Sequence, residues 1–143
     1  MPEKLEQLLE TFDMFPDPVD RTGMLLSYSD QFKEVPPDIA TRPFPPEHQV
    51  PQCESDAYVW AVKRPDETLQ LYFAVESPSG VSARALASIL DRTLSGLPAS
   101  DVATVSCDIV ERIFRQNISM GKGMGLMAMV NAVQALARRA LEP

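Results

Sequence analysis

The sequence predicts an α+β domain in which helical stripes at both ends of the chain enclose one β-hairpin. Three observations carry that reading. Apolar residues recur at i, i+3 and i+4 near both termini, and they alternate with polar ones over 57–63 and 68–76. A proline-rich stretch separates the first helices from the hairpin. The expected architecture is a small antiparallel sheet, a hairpin at about 57–76 with room for a third strand, packed against helices. One domain spans 1–143, because a chain of this size buries roughly 68–70% of its unfolded surface and needs no metal or disulfide to hold a core.

Taken in order, Leu5, Leu8, Leu9 and Phe12 form one stripe and predict a helix over 3–14. Phe15-Pro16-Asp17-Pro18 breaks it. A second helix is expected over 19–33, with Met24, Leu25 and Phe32 inward and Pro36-Pro37 ending it. From Val35 to Pro51 six prolines predict an extended, stiff connection. Strand one places Tyr58, Trp60 and Val62 on one face; strand two places Leu69, Leu71, Phe73 and Val75 on one face. Arg64-Pro65-Asp66-Glu67 is the turn between them.

Beyond Ser77-Pro78-Ser79-Gly80, Ser82 is expected to cap a helix reaching Leu94, with Leu86, Ile89, Leu90 and Leu94 inward. Gly96 and Pro98 stop it. Further helices are expected near 107–116 and over 123–141. Gly121, Gly123 and Gly125 read as a flexible turn into the last one, and Met127 and Met129 as core packing.

Net charge is −7, from 20 acidic and 13 basic side chains without a basic run. Such a surface repels phosphate backbones, so no nucleic-acid partner is expected. No stretch approaches the roughly 18–20 apolar residues of a membrane span. The N-terminus lacks a signal peptide's basic start and apolar run, and the expectation is a cytoplasmic protein. One histidine and two cysteines, at no metal-ligand spacing, predict neither metal nor cofactor.

Of the two thiols, Cys107 stands among Val105, Ile109 and Val110 and reads as an inert core residue. Cys53 stands among polar residues at the end of the proline-rich segment, immediately before the hairpin. Glu54 and Asp56 flank it and oppose negative charge on its sulfur, so it does not read as a self-activated nucleophile. His48, five residues upstream, is a candidate to assist. An acceptor thiol that works inside a partner's active site fits this setting.

The run Val50 to Tyr58 resembles the signature of the SufE family, a Val, two small or variable positions, Cys, Gln or Glu, Ser and an aromatic. Asp20-Arg21 to Val35-Pro36-Pro37, Leu71 to Ser77, Val81 to Leu90 and Ile118-Ser119 to Gly125-Leu126 resemble further segments of that family, in order. The resemblance implies a sulfur acceptor. Cys53 would take persulfide sulfur from a SufS-type cysteine desulfurase, enhance that enzyme as a co-catalyst, and pass the sulfur to an iron–sulfur cluster scaffold. Gln52, Glu54, Ser55, Tyr58, Arg84 and Lys122 lie in these segments and, with His48 from the loop itself, are the candidates for supporting the loop or docking the partner. The chain departs from the family pattern where Gln52 replaces a glycine, Tyr58 a tryptophan and Pro78 an aspartate. Ala83-Arg84 replaces a Lys-Gly pair, Lys122 an arginine and Met124 an asparagine. A different class of function, an acidic interaction module that regulates its partner without thiol chemistry, stands beside this reading. A redox thiol resolved by Cys107 is a third.

Overall fold

The computed structural model describes residues 1–143. Its order is α1 (Glu3–Asp13), α2 (Pro18–Asp30), β1 (Ala57–Lys63), β2 (Leu69–Val75), α3 (Val81–Leu94), α4 (Ala99–Val102), α5 (Ile109–Phe114) and α6 (Met120–Ala140). This is the α+β arrangement the alternation and the stripes predict. The strands pair antiparallel from Ala57 with Val75 to Lys63 with Leu69.

The hairpin separates two apolar layers. Val59, Leu69, Leu71, Phe73 and Val75 face the main core, where Leu86, Ile89 and Leu90 of α3 meet Met129, Val130 and Val133 of α6 and the stripe of α1. Tyr58, Trp60 and Ala74 face the other way and are covered by Val35 and Phe44 from the proline-rich segment. That segment is therefore a strap across the outer face of the sheet. It contributes no third strand. Its one point of pairing beside β2 is an isolated parallel bridge from Glu34 to Phe73, made by Val35 N–H donating to Phe73 O at 2.8 Å.

Several boundaries differ from the expectation, each for a local reason. Helix α2 ends at Asp30 rather than 33, because the chain must turn to reach that bridge; Phe32 packs on the core from the loop instead. Helix α3 starts at Val81 with Gly80 as its N-cap, so Ser82 lies inside the first turn and caps nothing. The short helix α4 begins after Pro98, whose fixed φ suits a helix start. Helix α5 is shorter than 107–116, ending where Arg115 adopts φ 47°. Helix α6 begins at Met120, ahead of the glycines, because the Ser119 hydroxyl accepts from Lys122 N–H at 3.3 Å. Met129 is buried as expected, but Met127 is on the surface. Cys107 is half-buried against the core rather than sealed within it.

One buried charge ties the helical layer together. Arg21 is fully buried, and its guanidinium donates to Phe12 O at 2.5 Å, Arg112 O at 2.7 Å and Ile113 O at 2.8 Å. Those carbonyls end α1 and α5, so one cation adds a partner to Phe12 O, which also accepts from Phe15 N–H at 3.0 Å, serves two carbonyls at the end of α5, and meets the negative ends of two dipoles. Burial pushes its pKa below the ordinary arginine value, yet three acceptors keep the charged form in place.

Outside it, Arg112 bonds Asp13 at 2.8 Å and Glu6 at 3.3 Å. The hydrogen bond from Arg112 holds the Asp13 carboxyl below the usual carboxylate range; partial burial opposes this, and Arg112, Arg115 and Arg21 add their positive fields. A depressed folded-state pKa contributes stability above the unfolded value of about 3.9, lost as pH falls through the lower folded value. Asp13→Asn should lower the thermal midpoint at neutral pH and make it less sensitive to acid. Melts that superimpose on the parent's from about pH 5 to about pH 2 would contradict this.

Candidate functional site

Cys53 sits in a loop whose base is pinched shut. Val50 N–H donates to Ala57 O at 2.8 Å, and Gln49 bridges Tyr58, so residues 51–56 bulge from the start of β1. Within the bulge Asp56 N–H donates to Cys53 O at 3.3 Å, and Ser77 N–H to Ser55 O at 3.1 Å. Gln52, Cys53 and Glu54 make no backbone hydrogen bond to another element. Gln52 has φ 62° and Asp56 φ 51°, so the thiol is bracketed by two non-glycine residues in the left-handed region. Such residues cost on the order of 1–2 kcal/mol each, less for aspartate. The glycine that the resembled pattern places before the cysteine would sit at φ 62° without that cost.

The thiol is half-buried and packs on the edge of the main core. It borders a narrow cleft of about 70 Å³, walled by Ser79, Val81 and Ser82 at the start of α3 and by Lys122, Gly125 and Leu126 at the start of α6. A small-molecule pocket typically measures about 300–1,000 Å³, so this slot suits a few atoms added to the sulfur and not a substrate of ordinary size.

Both walls are helix N-termini, the electropositive ends of their dipoles. Ser119 caps α6, whereas α3 has no side-chain cap, and its first turn lines the cleft. Lys122 adds a positive charge and Glu54 opposes it. The outer side of the loop borders a second, open hollow of about 590 Å³ formed by Pro46, Gln49, Val50, Pro51, Gln52 and Glu54, and Cys53 borders this one too.

The structure divides the residues singled out in the sequence. Cys53, Glu54, Ser55 and Lys122 share the cleft, and Gln52 lines only the open hollow on the other side of the loop. Arg84 stands behind the wall, donating to Val75 O at 3.1 Å and Ser77 O at 2.7 Å, and so fixes the turn from β2 into α3. His48 and Tyr58 lie elsewhere. His48 borders neither concavity; its Nδ1 lies 3.0 Å from Val59 O and its ring stacks on Trp60 at 5.1 Å. Tyr58 is buried against Phe44 under the strap; burial pushes its phenol pKa up, and the neighbouring Glu76 carboxylate adds to the rise.

Residues 6–137 match the sequence profile of SufE, described as an Fe-S metabolism associated domain. The chain belongs to the SufE family. Membership associates it with iron–sulfur metabolism. The SufE fold here is similar to the solution structure of a hypothetical protein from Thermus thermophilus, with a TM-score of 0.76 and 26% identity over 99% of this chain and 98% of that one. No curated protein matches the sequence.

Sequence reasoning missed four contributors to this SufE cleft. Ser79 and Ser82 line it although Ser82 reads as a helix cap, and Gly80 and Gly125 flank the loop although Gly125 reads as part of a turn. The available signal was the coincidence of short residues at the two helix starts that follow the cysteine. No helix is long and apolar enough to cross a membrane.

Proposed function

We propose that this SufE-family chain is a sulfur acceptor and carrier whose working atom is the Cys53 sulfur. The Cys53 thiolate attacks the outer sulfur of a persulfide on a SufS-type cysteine desulfurase. A new S–S bond forms to Cys53, the donor's S–S bond breaks, and the desulfurase cysteine leaves as a thiolate. One sulfur atom moves as a neutral unit, and no external oxidant or reductant is consumed. Discharge to an iron–sulfur cluster scaffold repeats the step with Cys53 as the leaving thiolate. The chain thus turns over as a co-catalyst that clears the desulfurase, with no cofactor of its own.

The observation that supports this most is the setting of the thiol: a half-buried Cys53 with a narrow slot on its inner side and an open hollow on its outer side, on a loop with few ties. A carrier needs shelter between partners, because a fully exposed persulfide loses sulfur to any thiol it meets. It also needs reach, and a loop whose 52–54 backbone is bonded to no other element moves at little cost. Two exposed methionines, Met120 at 86% and Met124 at 50%, lie on α6 near the cleft-lining Lys122 in sequence. Flexible methionines suit contact with another protein.

The test is incubation with a SufS-type desulfurase, its pyridoxal cofactor and free cysteine, followed by intact-mass and peptide measurement. Cys53 should gain one or more sulfur atoms and the desulfurase rate should rise. Cys53→Ser should abolish both, and Cys107→Ser neither. Full activation by Cys53→Ser would overturn the reading in favour of an interaction module without thiol chemistry.

A further inference from the structure

We infer that Gly80 and Gly125 are positioning residues for the thiol: by carrying no side chain, they admit the Cys53 loop to its seat between α3 and α6. A Cβ at Gly125 would lie 3.1 Å from Gln52 O and 3.2 Å from Cys53 Cα, and both neighbours are backbone atoms that cannot rotate away. A Cβ at Gly80 would lie 2.7 Å from Val75 Cγ1, 3.1 Å from Ser55 Cβ and 3.2 Å from Ser55 Oγ. The loop is thus held from two sides, at Ser55 by the start of α3 and at Gln52–Cys53 by the second turn of α6.

The other glycines of α6 show that this is a local property. A Cβ at Gly121 would meet nothing within 4 Å, and one at Gly123 only the mobile Cδ1 of Ile118 at 3.3 Å. Alanine is the better helix former at every interior position, so helix propensity gives no reason for glycine at 125. The close approach of the loop backbone does. Seated, the loop holds the sulfur in the narrow cleft. Crowding the seat shifts the balance towards the lifted loop, because the strained Gln52 and a 52–54 backbone bonded to no other element offer little resistance to leaving. The consequence for sulfur transfer rests on the acceptor reading above; the seating itself does not.

The experiment compares the iodoacetamide alkylation rates of Cys53 and Cys107 in the folded parent, Gly23→Ala, Gly125→Ala and Gly80→Ala, read by peptide mass spectrometry; Gly23 lies in α2 away from the cleft, and a Cβ there meets nothing within 4 Å. Gly125→Ala should raise the Cys53 rate by about tenfold, since overpacking penalties of ordinary size disfavour the seated state by about five- to 150-fold. Cys107, the reference thiol in the same molecule, should not change, and Gly23→Ala should alter neither rate. A Cys53 rate within about twofold of the parent's, or a parallel rise at Cys107 that marks general loosening, overturns the inference. Should Gly125→Ala fail to fold, Gly80→Ala decides by the same ratio. Alkylation needs no partner, so failure of the seat and failure of the sulfur-acceptor reading, which persulfide uptake by the parent decides, remain separate results.

Discussion

Arg21→Met should cost the domain about 3–5 kcal/mol, because removing one member of a buried charged network leaves its partners buried and unpaired. The partners are specific. Phe12 O, Arg112 O and Ile113 O accept from this guanidinium at 2.5–2.8 Å, and Asn117 closes the same corner by donating to Pro18 O at 2.9 Å. Methionine fills a similar volume but donates nothing, so the ends of α1 and α5 lose their shared cap. Two opposing effects reduce the loss: arginine no longer has to be desolvated, and its own Nε has no partner even in the parent. The α5 carbonyls outweigh these, since each unsatisfied buried acceptor costs about 1–3 kcal/mol, whereas Phe12 O keeps its bond from Phe15 N–H.

Arg21→Lys should fall between the two, because an ammonium cannot span three carbonyls with a planar fork. Denaturant titration followed by Trp60 fluorescence measures all three proteins. An Arg21→Met midpoint equal to the parent's would mean that water or the backbone supplies the missing donors. The effect should extend to the site. Residues 112–119 link the Arg21 corner to the start of α6, and α6 is one wall of the Cys53 cleft.

What was legible in the sequence followed from short-range periodicity. Leu69, Leu71, Phe73 and Val75 alternate because one face of β2 meets the core, and that rule needs no knowledge of the partner elements. Cys53 stood out for a similar reason, as a thiol outside any apolar stripe and between a stiff segment and a strand. What stayed hidden depended on contacts distant in sequence. Arg21 reads as a solvated helix residue, and only the arrival of α5 at the end of α1 explains its burial. Gly125 reads as a flexible turn, because a glycine required by a loop more than seventy residues earlier looks the same as one required by φ. His48 lies close to Cys53 in sequence, yet the pinch at Val50 and Ala57 sends their side chains to different places, one stacked on Trp60 and one at the cleft.

Phe44→Ala is the second change with a large expected effect, and it tests whether the strap supports the site. Phe44 is nearly buried, with its ring centroid 5.1 Å from Tyr58 and 5.3 Å from Trp60, and Arg42 lies over its other side at 5.4 Å. It is the largest apolar side chain the strap contributes to the outer layer. Truncation of a buried phenylalanine costs about 3–5 kcal/mol when the whole fold must pay it.

Here the loss should first be local, because the outer layer is separate from the main core and the strap makes few backbone bonds with the sheet. Trp60 is the only tryptophan, so its emission reports on that layer alone and should move to the red as water reaches the indole. The same strap ends in Gln49 and Val50, which pin the base of the Cys53 loop to Tyr58 and Ala57. Alkylation of Cys53 should therefore quicken in Phe44→Ala at denaturant concentrations where Cys107 still reacts at the parent rate. If the tryptophan spectrum and the Cys53 rate both match the parent's, the proline-rich segment is held by its backbone conformation and not by this ring. The loop base would then not depend on the outer apolar layer.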